Sequence, residues 1–472
     1  MFTDLKPYPD HRDSGSRMLG LVPSGWTVRS MRTLLTARTG RNRPDLPLLS
    51  VARERGAFVR GANDDNHNVI PEDLTGYKIA LAGDLVINKM KAWQGSLGLA
   101  PCDGIVSPAY YVFEFAMSNR FFGQALLRSK PYVGEFAAAS DGVRIGQWDL
   151  SVSRLRKVPV VVPPLDEQAA IVKYLGHANA RIDRAIVAKR KLIALLEEQK
   201  QALINQAVTR GLDPVVPLKD SDIPWLGEIP DHWQVWPIGR LARVGNGSTP
   251  SRTTLEFWQD GNYPWLNSSF ANKREVLEAD QFVTARALAE CHLPIVPPGS
   301  VIVAITGQGK TRGKAALLKM EATINQHLAY LTPDQRRSSG PFLQAVLVAA
   351  YPELRRISDD SGSTKGALTC QDLKAFRVPV PSLVEQAQIV QWIRDETETT
   401  EAAASRAARE IELLREFRTR LTADVVTGQL DIRDAAARLP ELDPDDLVSD
   451  VIEQDEDDLE ADLAASLEEV DA

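Results

Sequence analysis

Residues 162–172 read VPPLDEQAAIV and residues 380–390 read VPSLVEQAQIV. The likeness continues without a gap at a constant offset of 218, through IALLEE at 193–198 and IELLRE at 411–416, to VTRGLD at 208–213 and VTGQLD at 426–431. Of the 52 positions so paired, 18 are identical. An internal repeat of this kind sets the architecture before any residue is given a task.

Each copy predicts one long helix. Pro163 and Pro381 precede its start, and Ser382 with Glu385 forms an S-x-x-E capping box that satisfies orphan backbone N–H groups. Ile182, Ile186, Lys189, Ile193, Leu196, Lys200 and Leu203 alternate four and three apart, and Ala404, Ala407, Ile411, Leu414, Arg418 and Leu421 keep that register in the second copy. Such spacing gives one seam that faces a partner. Roughly 40 helical residues at about 1.5 Å each make a rod of ~60 Å, suited to a spacer. One chain buries both seams most simply by packing the rods antiparallel, Ile182, Ile186, Ile193, Leu196 and Leu203 against Ile411, Leu414 and Leu421. Two unrelated surface helices would leave the gapless repeat unexplained.

The chain repeats a second time. Leu19-Gly20-x-Val22-Pro23-x-x-Trp26-x-Val28 returns as Leu226-Gly227-x-Ile229-Pro230-x-x-Trp233-x-Val235 at an offset of 207. The offset grows from 207 to 218, so the second globular segment is longer by a net 11 residues. Trp26 and Trp233 keep their apolar neighbours and are read as core. Between head and rod each half is strand-rich. LAGDLVIN at 81–88 and PGSVIVAIT at 298–306 are β-rich runs entered by a Gly turn, with residues 105–115 and 328–331 as pairing partners. Residues 119–129 and 340–350 read as helices. Gly-containing loops at 141–146 and 360–366 then lead through VPVVVP and FRVPVP into the rods. The fold class is α+β: two globular domains separated by two long antiparallel coiled-coil-like helices, an internal pseudo-twofold duplication. The expected divisions are residues 1–161, 162–213, 214–379 and 380–434, with an acidic, disordered tail at 435–472.

Charge is unevenly spread over the 472 residues. Residues 441–472 hold 15 Asp or Glu and no Lys, Arg or His, so the formal net −8 resolves into −15 on this stretch and +7 on residues 1–440. The body is basic, and the tail is a solvated charge block. Cys102, Cys291 and Cys370 lie far apart and odd in number, which suits a reducing cytosol and gives neither a disulfide framework nor a zinc spacing. No apolar run approaches ~18 residues, so a soluble, cytoplasmic protein is expected.

The motifs stand in a definite order. P-x-x-W opens each half. GDLVINKMKAWQG at 83–95 and GIVSPAYY at 104–111 follow in the first; WLN at 265–267, ITGQGKTRGK at 305–314 and INQH at 324–327 follow in the second; P-x-L-x-E-Q precedes each rod. That order, duplicated around two rods over residues 15–434, resembles the specificity subunit of type I restriction-modification enzymes. The resemblance implies two target-recognition domains, each reading one half of a split, asymmetric double-stranded DNA target, and helices that dock two methyltransferase subunits. Restriction (translocase-nuclease) subunits join that assembly. The chain itself would bind no cofactor and no metal, with S-adenosylmethionine, ATP and Mg on the partner subunits.

Under that reading affinity comes mainly from Lys and Arg on phosphates and specificity from side chains that reach base edges. The candidates stand on polar loops between strands. In the first domain they are Arg41, Arg43, Arg53, Arg55 and Arg60, then Lys89, Lys91, Trp93 and Gln94, with Arg144 in the closing loop. In the second they are Asn246, Ser248, Arg252, Lys273 and Arg274, then Gln308, Lys310, Thr311, Arg312 and Lys314, with Lys365 in the closing loop. For any one of them the plain alternative is a solvated surface charge.

Apparent catalytic signals fail. Gly309-Lys310-Thr311 is not a phosphate loop, because the position that needs the first glycine is Ala304. Glu198-x-Lys200 lies on a rod, where its counterpart is Glu416-x-Arg418, so helix surface is the better reading. Cys291-His292 has no second pair beside it. No Asn-Pro-Pro-Phe or Asp-Pro-Pro-Tyr stretch occurs. A non-catalytic role is expected. Two other classes stay open: an enzyme with an unrecognised nuclease or methyltransferase site, and a scaffold whose duplicated domains bind protein or glycan.

Overall fold

The computed structural model describes residues 5–53, 55–61, 73–142, 148–307, 309–359 and 366–441. Contacts divide the chain into two compact units, Met1–Lys189 with Arg409–Asp471, and Arg190–Ala408. The division falls inside both long helices, Leu165–Arg210 (46 residues) and Leu383–Val426 (44 residues). Each unit therefore holds one head together with one segment of each helix.

In the first unit a four-stranded antiparallel sheet is built from β1 (Leu35–Ala37), β2 (Leu85–Asn88), β3 (Leu97–Leu99) and β4 (Tyr110–Phe115), in the order β1-β4-β2-β3. Phe113 pairs with Leu85 and with Ala37. Side chains alternate between faces along a strand. Leu85, Ile87, Phe113 and Phe115 accordingly enter the main core, whereas Val86 and Val112 pack on the other face against Leu49, Val51 and Ala57. Gly83, at φ +83°, makes the turn into β2. The expected pairing segment at 105–115 proves to be two strands: Tyr110–Phe115 pairs with β2, and Gly104–Val106 pairs with Lys78–Ala80. Pro108 separates them, and a proline cannot donate to a ladder.

The second unit repeats this plan with β5 (Ala242–Asn246), β6 (Val301–Ala304), β7 (Ala315–Leu318) and β8 (Leu328–Pro333), ordered β5-β8-β6-β7 with Glu275–Val276 added parallel to β7. The added strand lies in the longer second head. A second small sheet there joins Tyr263–Leu266 to Gln281–Val283 and Thr323–Ile324.

The repeated P-x-L-x-E-Q motif is a duplicated clamp. Trp26 and Trp233 are both 1% exposed. Trp26 donates its indole N–H to Glu167 at 3.0 Å, and Trp233 donates to Glu385 at 3.1 Å. Next along, Gln168 bonds the Pro163 carbonyl and takes the backbone N–H of Asn119, the N-cap of α1 (Arg120–Arg128). Gln386 does the same with the Pro381 carbonyl and Ser339, the N-cap of α2 (Gly340–Ala349). Ser382 and Glu385 form the expected capping box, Ser382 N–H to Glu385 at 3.0 Å and Glu385 N–H to Ser382 at 3.3 Å. Pro164 occupies that cap position in the first copy, and there Glu167 holds the Tyr8 hydroxyl instead.

Within the first unit the two helix segments run antiparallel, joined by Arg418 to Asp183 at 2.7 Å and by Lys189 to Glu410. Ile182, Ile186, Ile411 and Leu421 are buried, and Leu414 is half-buried. In the second unit Ile193, Leu196 and Leu203 are half-buried, while Ile204, one residue on, is buried beside Trp233. Near its end the helix presents its apolar face to the head as well as to the seam.

The start of the chain is tied to the stretch after the second long helix: Asp431 donates its N–H to the Lys6 carbonyl at 2.7 Å, and Gln429 bonds the Leu21 carbonyl at 2.8 Å. Packing also continues past the expected tail boundary at 435. Ile432 and Ala436 are buried, Leu439 packs against the same core, and Lys173 holds Glu441 at 2.6 Å. The acidic stretch beyond 441 lies outside the described residues.

Candidate nucleic-acid interface

In each unit three strand ends meet at one edge of the sheet. In the first these are the segment after β1, the end of β2 and the start of β4. Arg41 forms an isolated bridge with Lys78, whose ammonium donates to the Tyr110 carbonyl at 2.5 Å. Burial, followed by repulsion from Arg41 and Lys89, lowers the Lys78 pKa. Lys78 thus lies within electrostatic reach of both Arg41 and Lys89. Lys89 is held by Asp149 at 2.9 Å, and Lys91 is exposed beside it. Trp93 packs on Trp148 with ring centroids 5.2 Å apart and bonds the Met90 carbonyl, while Gln94 is half-buried. Arg60 lies within electrostatic reach of Tyr110.

Other first-domain candidates stand elsewhere. Arg43 is occupied by Asp45 at 2.7 Å on the surface. Arg53 and Arg55 sit at the turn between Leu49–Ala52 and Gly56–Val59, where Arg128 bonds the Arg53 carbonyl and the Arg55 guanidinium lies 4.1 Å over Phe58. Arg144, Gln308 and Lys365 lie outside the described residues.

The second-domain candidates fall into two groups. Asn246 ends β5, and Ser248 and Arg252 follow it at the sheet edge. Gly247 is required there, because a Cβ would come within 1.7 Å of the Ile324 carbonyl oxygen. Ser248 donates its N–H to that carbonyl at 3.1 Å. Arg252 lies 3.8 Å over Trp258 and 5.2 Å over Trp265 and bonds Gln281 at 2.7 Å, and burial lowers its pKa. Lys273, Arg274, Lys310 and Lys314 instead line a cavity of about 460 Å³, with Lys200 and Arg394 from the long helices. Glu401 answers Arg274 at 3.0 Å and Lys200 at 3.1 Å. Burial, then Lys310, lowers the Lys314 pKa. Thr311 bonds Asn272 at 3.3 Å.

Arg312 departs from the expectation of a DNA-contacting group. It is 3% exposed, donates to the Gly366 carbonyl at 2.7 Å and pairs with Asp359. Its guanidinium ties Gly366 to Asp359 and is enclosed by the protein.

Sequence reasoning passed over Lys78, Thr249, Thr306, Gln326 and His327. Lys78 reads as part of a strand and gains meaning only beside Arg41. The other four are assembled from three separated segments, although the polar pair within INQH, immediately before a strand, was a signal. Among the described residues no group of three or more His, Cys, Asp or Glu could hold a metal ion, and no helix is long and apolar enough to cross a membrane.

The chain thus carries two α+β heads and two long helices, with charged and amide side chains gathered at the sheet edge of a head. Residues 230–412 match the family model described as type I restriction modification DNA specificity domain. The chain is 22% identical over 280 residues to a type I restriction enzyme specificity subunit of Escherichia coli, an alignment that covers 59% of this chain and 64% of that one, less than two thirds of its length. It is 31% identical over 175 residues to a specificity subunit of Methanocaldococcus jannaschii, covering 36% of this chain and 38% of the relative. A solved structure described as concerning complex assembly and conformational transition of the type I R-M system shares the fold, with a TM-score of 0.60 at 16% identity over 86% of this chain and 98% of that one. Residues 230–412 are thus similar to the DNA specificity domain of type I restriction-modification systems, and the chain as a whole is similar to specificity subunits of such systems.

Proposed function

We propose that this chain recognises DNA sequence for a type I restriction-modification complex, each unit reading one half of a split target. The observation that carries it is the repeated sheet edge. In each unit the segments after the first strand, after the second and before the fourth bring together cations and amides, the groups that bind phosphates and base edges. Arg41, Lys78 and Lys89 supply the phosphate-binding charge in the first unit, and Asn246, Ser248 and Arg252 border the edge in the second.

The relatives' names associate this body with restriction enzymes, which supports methyltransferase and restriction subunits as partners in the cytoplasm. In this reading the long helices carry the partner-docking faces, on which Val187, Leu195 and Leu413 are exposed. The chain contributes recognition and the partners contribute chemistry, with S-adenosylmethionine, ATP and Mg bound by them. The test is co-expression with a type I methyltransferase subunit, followed by methylome sequencing. A two-part motif that disappears when this chain is omitted supports the reading. Methylation that does not depend on the chain refutes it.

A further inference from the structure

Among the polar groups at the second unit's sheet edge, Gln326 stands out because it is exposed and yet held from both sides. Thr249 donates its hydroxyl to Gln326 Oε1. Gln326 Nε2 in turn donates to His327 Nε2 at 3.1 Å, and His327 Nδ1 donates to Thr306 Oγ1 at 2.6 Å. The His327 backbone is fixed as well, its N–H bonded to Asn325 Oδ1 at 3.0 Å and its carbonyl to the Ile305 N–H at 2.9 Å. Thr249 and Thr306 follow β5 and β6, and Gln326 and His327 form the short turn that leads into β8, so the amide is held by its bonds to neighbours from three segments.

An amide has two N–H donors and two acceptor lone pairs. The chain of bonds consumes one of each. Among the described residues nothing takes the remaining N–H or the remaining lone pair of Oε1. Exchanging the amide oxygen and nitrogen, with the His327 tautomer reversed, leaves the same remainder. One donor and one acceptor on a single amide match the major-groove edge of adenine, which offers N7 as acceptor and the N6 amino group as donor. Guanine offers two acceptors there and leaves the amide oxygen unpaired.

We propose that Gln326 is a specificity-determining residue that reads an adenine in the half-site bound by the second unit, with Thr249 and His327 as positioning residues. The inference rests on the DNA-reading function proposed above. Pre-orientation by two bonds removes the rotamer entropy that a free glutamine would lose on contact.

The test uses the full-length chain in complex with its methyltransferase subunits, incubated with a pool of randomised double-stranded DNA whose bound fraction is sequenced. Gln326→Ala relaxes one A·T position in one half by about 10-fold and leaves the rest of the motif unchanged. Gln326→Glu keeps acceptors and loses the donor, and shifts that position toward C·G, whose N4 amino group a carboxylate accepts. Thr249→Val and His327→Phe weaken preference at the same position. Melting curves that coincide with wild type show that these changes leave the fold intact. Unchanged preference in all four variants, or loss at a G·C position, overturns the inference and leaves the DNA-reading function standing. A wild-type complex that enriches no sequence overturns that function, and this inference with it.

Discussion

Replacing Glu385 with alanine removes four hydrogen bonds at once. Oε1 accepts from Trp233 Nε1 at 3.1 Å and from His232 Nε2 at 2.6 Å, and Oε2 accepts from the Ser382 N–H at 3.0 Å and its hydroxyl at 2.7 Å. The Trp233 indole is 1% exposed, so its N–H would lose its acceptor without gaining water. A buried donor left unsatisfied costs about 1–3 kcal/mol. Loss of the helix cap adds about 1 kcal/mol. Glu385→Ala is therefore expected to destabilise the second unit by about 2–4 kcal/mol, a drop of roughly 4–16 °C in midpoint for a body of that size. Glu385→Gln keeps an oxygen for the indole and costs less. Burial pushes the Glu385 carboxyl up, but the bonds from His232, Ser382 and Trp233 outweigh it and leave its pKa at about 2, below the ordinary 4.5. A carboxylate depressed in the folded state contributes fully above its unfolded pKa and loses that contribution as pH falls toward the folded one. The gap between wild type and variant should be full above pH 4.5 and narrow from there to pH 2. Denaturant unfolding with hydrogen exchange at residues 230–238 reads both effects. A loss below about 0.5 kcal/mol, within the range of an ordinary surface change, would refute the clamp.

Three further outcomes are expected. Ending the chain after Leu430 removes buried Ile432 and the tie to Lys6 and costs the first unit about 2–4 kcal/mol by calorimetry. Lys78→Gln lowers the slope of log binding constant against log salt by about 1 in filter-binding titrations, with the preferred sequence unchanged. Arg312→Ala destabilises the second unit by about 1–3 kcal/mol in denaturant melts and leaves that salt slope as it was, because its bonds are internal.

The long helices and the duplicated heads were legible in the sequence because both rest on local periodicity and on spacing that repeats. Ser382 and Glu385 sit three apart, so their cap could be read directly. The other half of Glu385's work, holding Trp233 from 152 positions away, needed the fold. The same limit applies at the interface. Lys89 and Arg252 were visible as charges on polar loops. Arg312 looked the same in sequence, and only its enclosure by Gly366 and Asp359 separates it from them. Gln326 was hidden for the opposite reason: its role depends on Thr249 and Thr306, which the chain brings to it from two other strand ends.

The central claim is that each unit reads its own half of the target. Replacing residues 15–160 with the matching segment of a relative of different specificity, co-expressed with the methyltransferase subunits, tests it by methylome sequencing. One half of the motif should change to that of the donor while the other half stays as it was. Alteration of both halves would contradict the account.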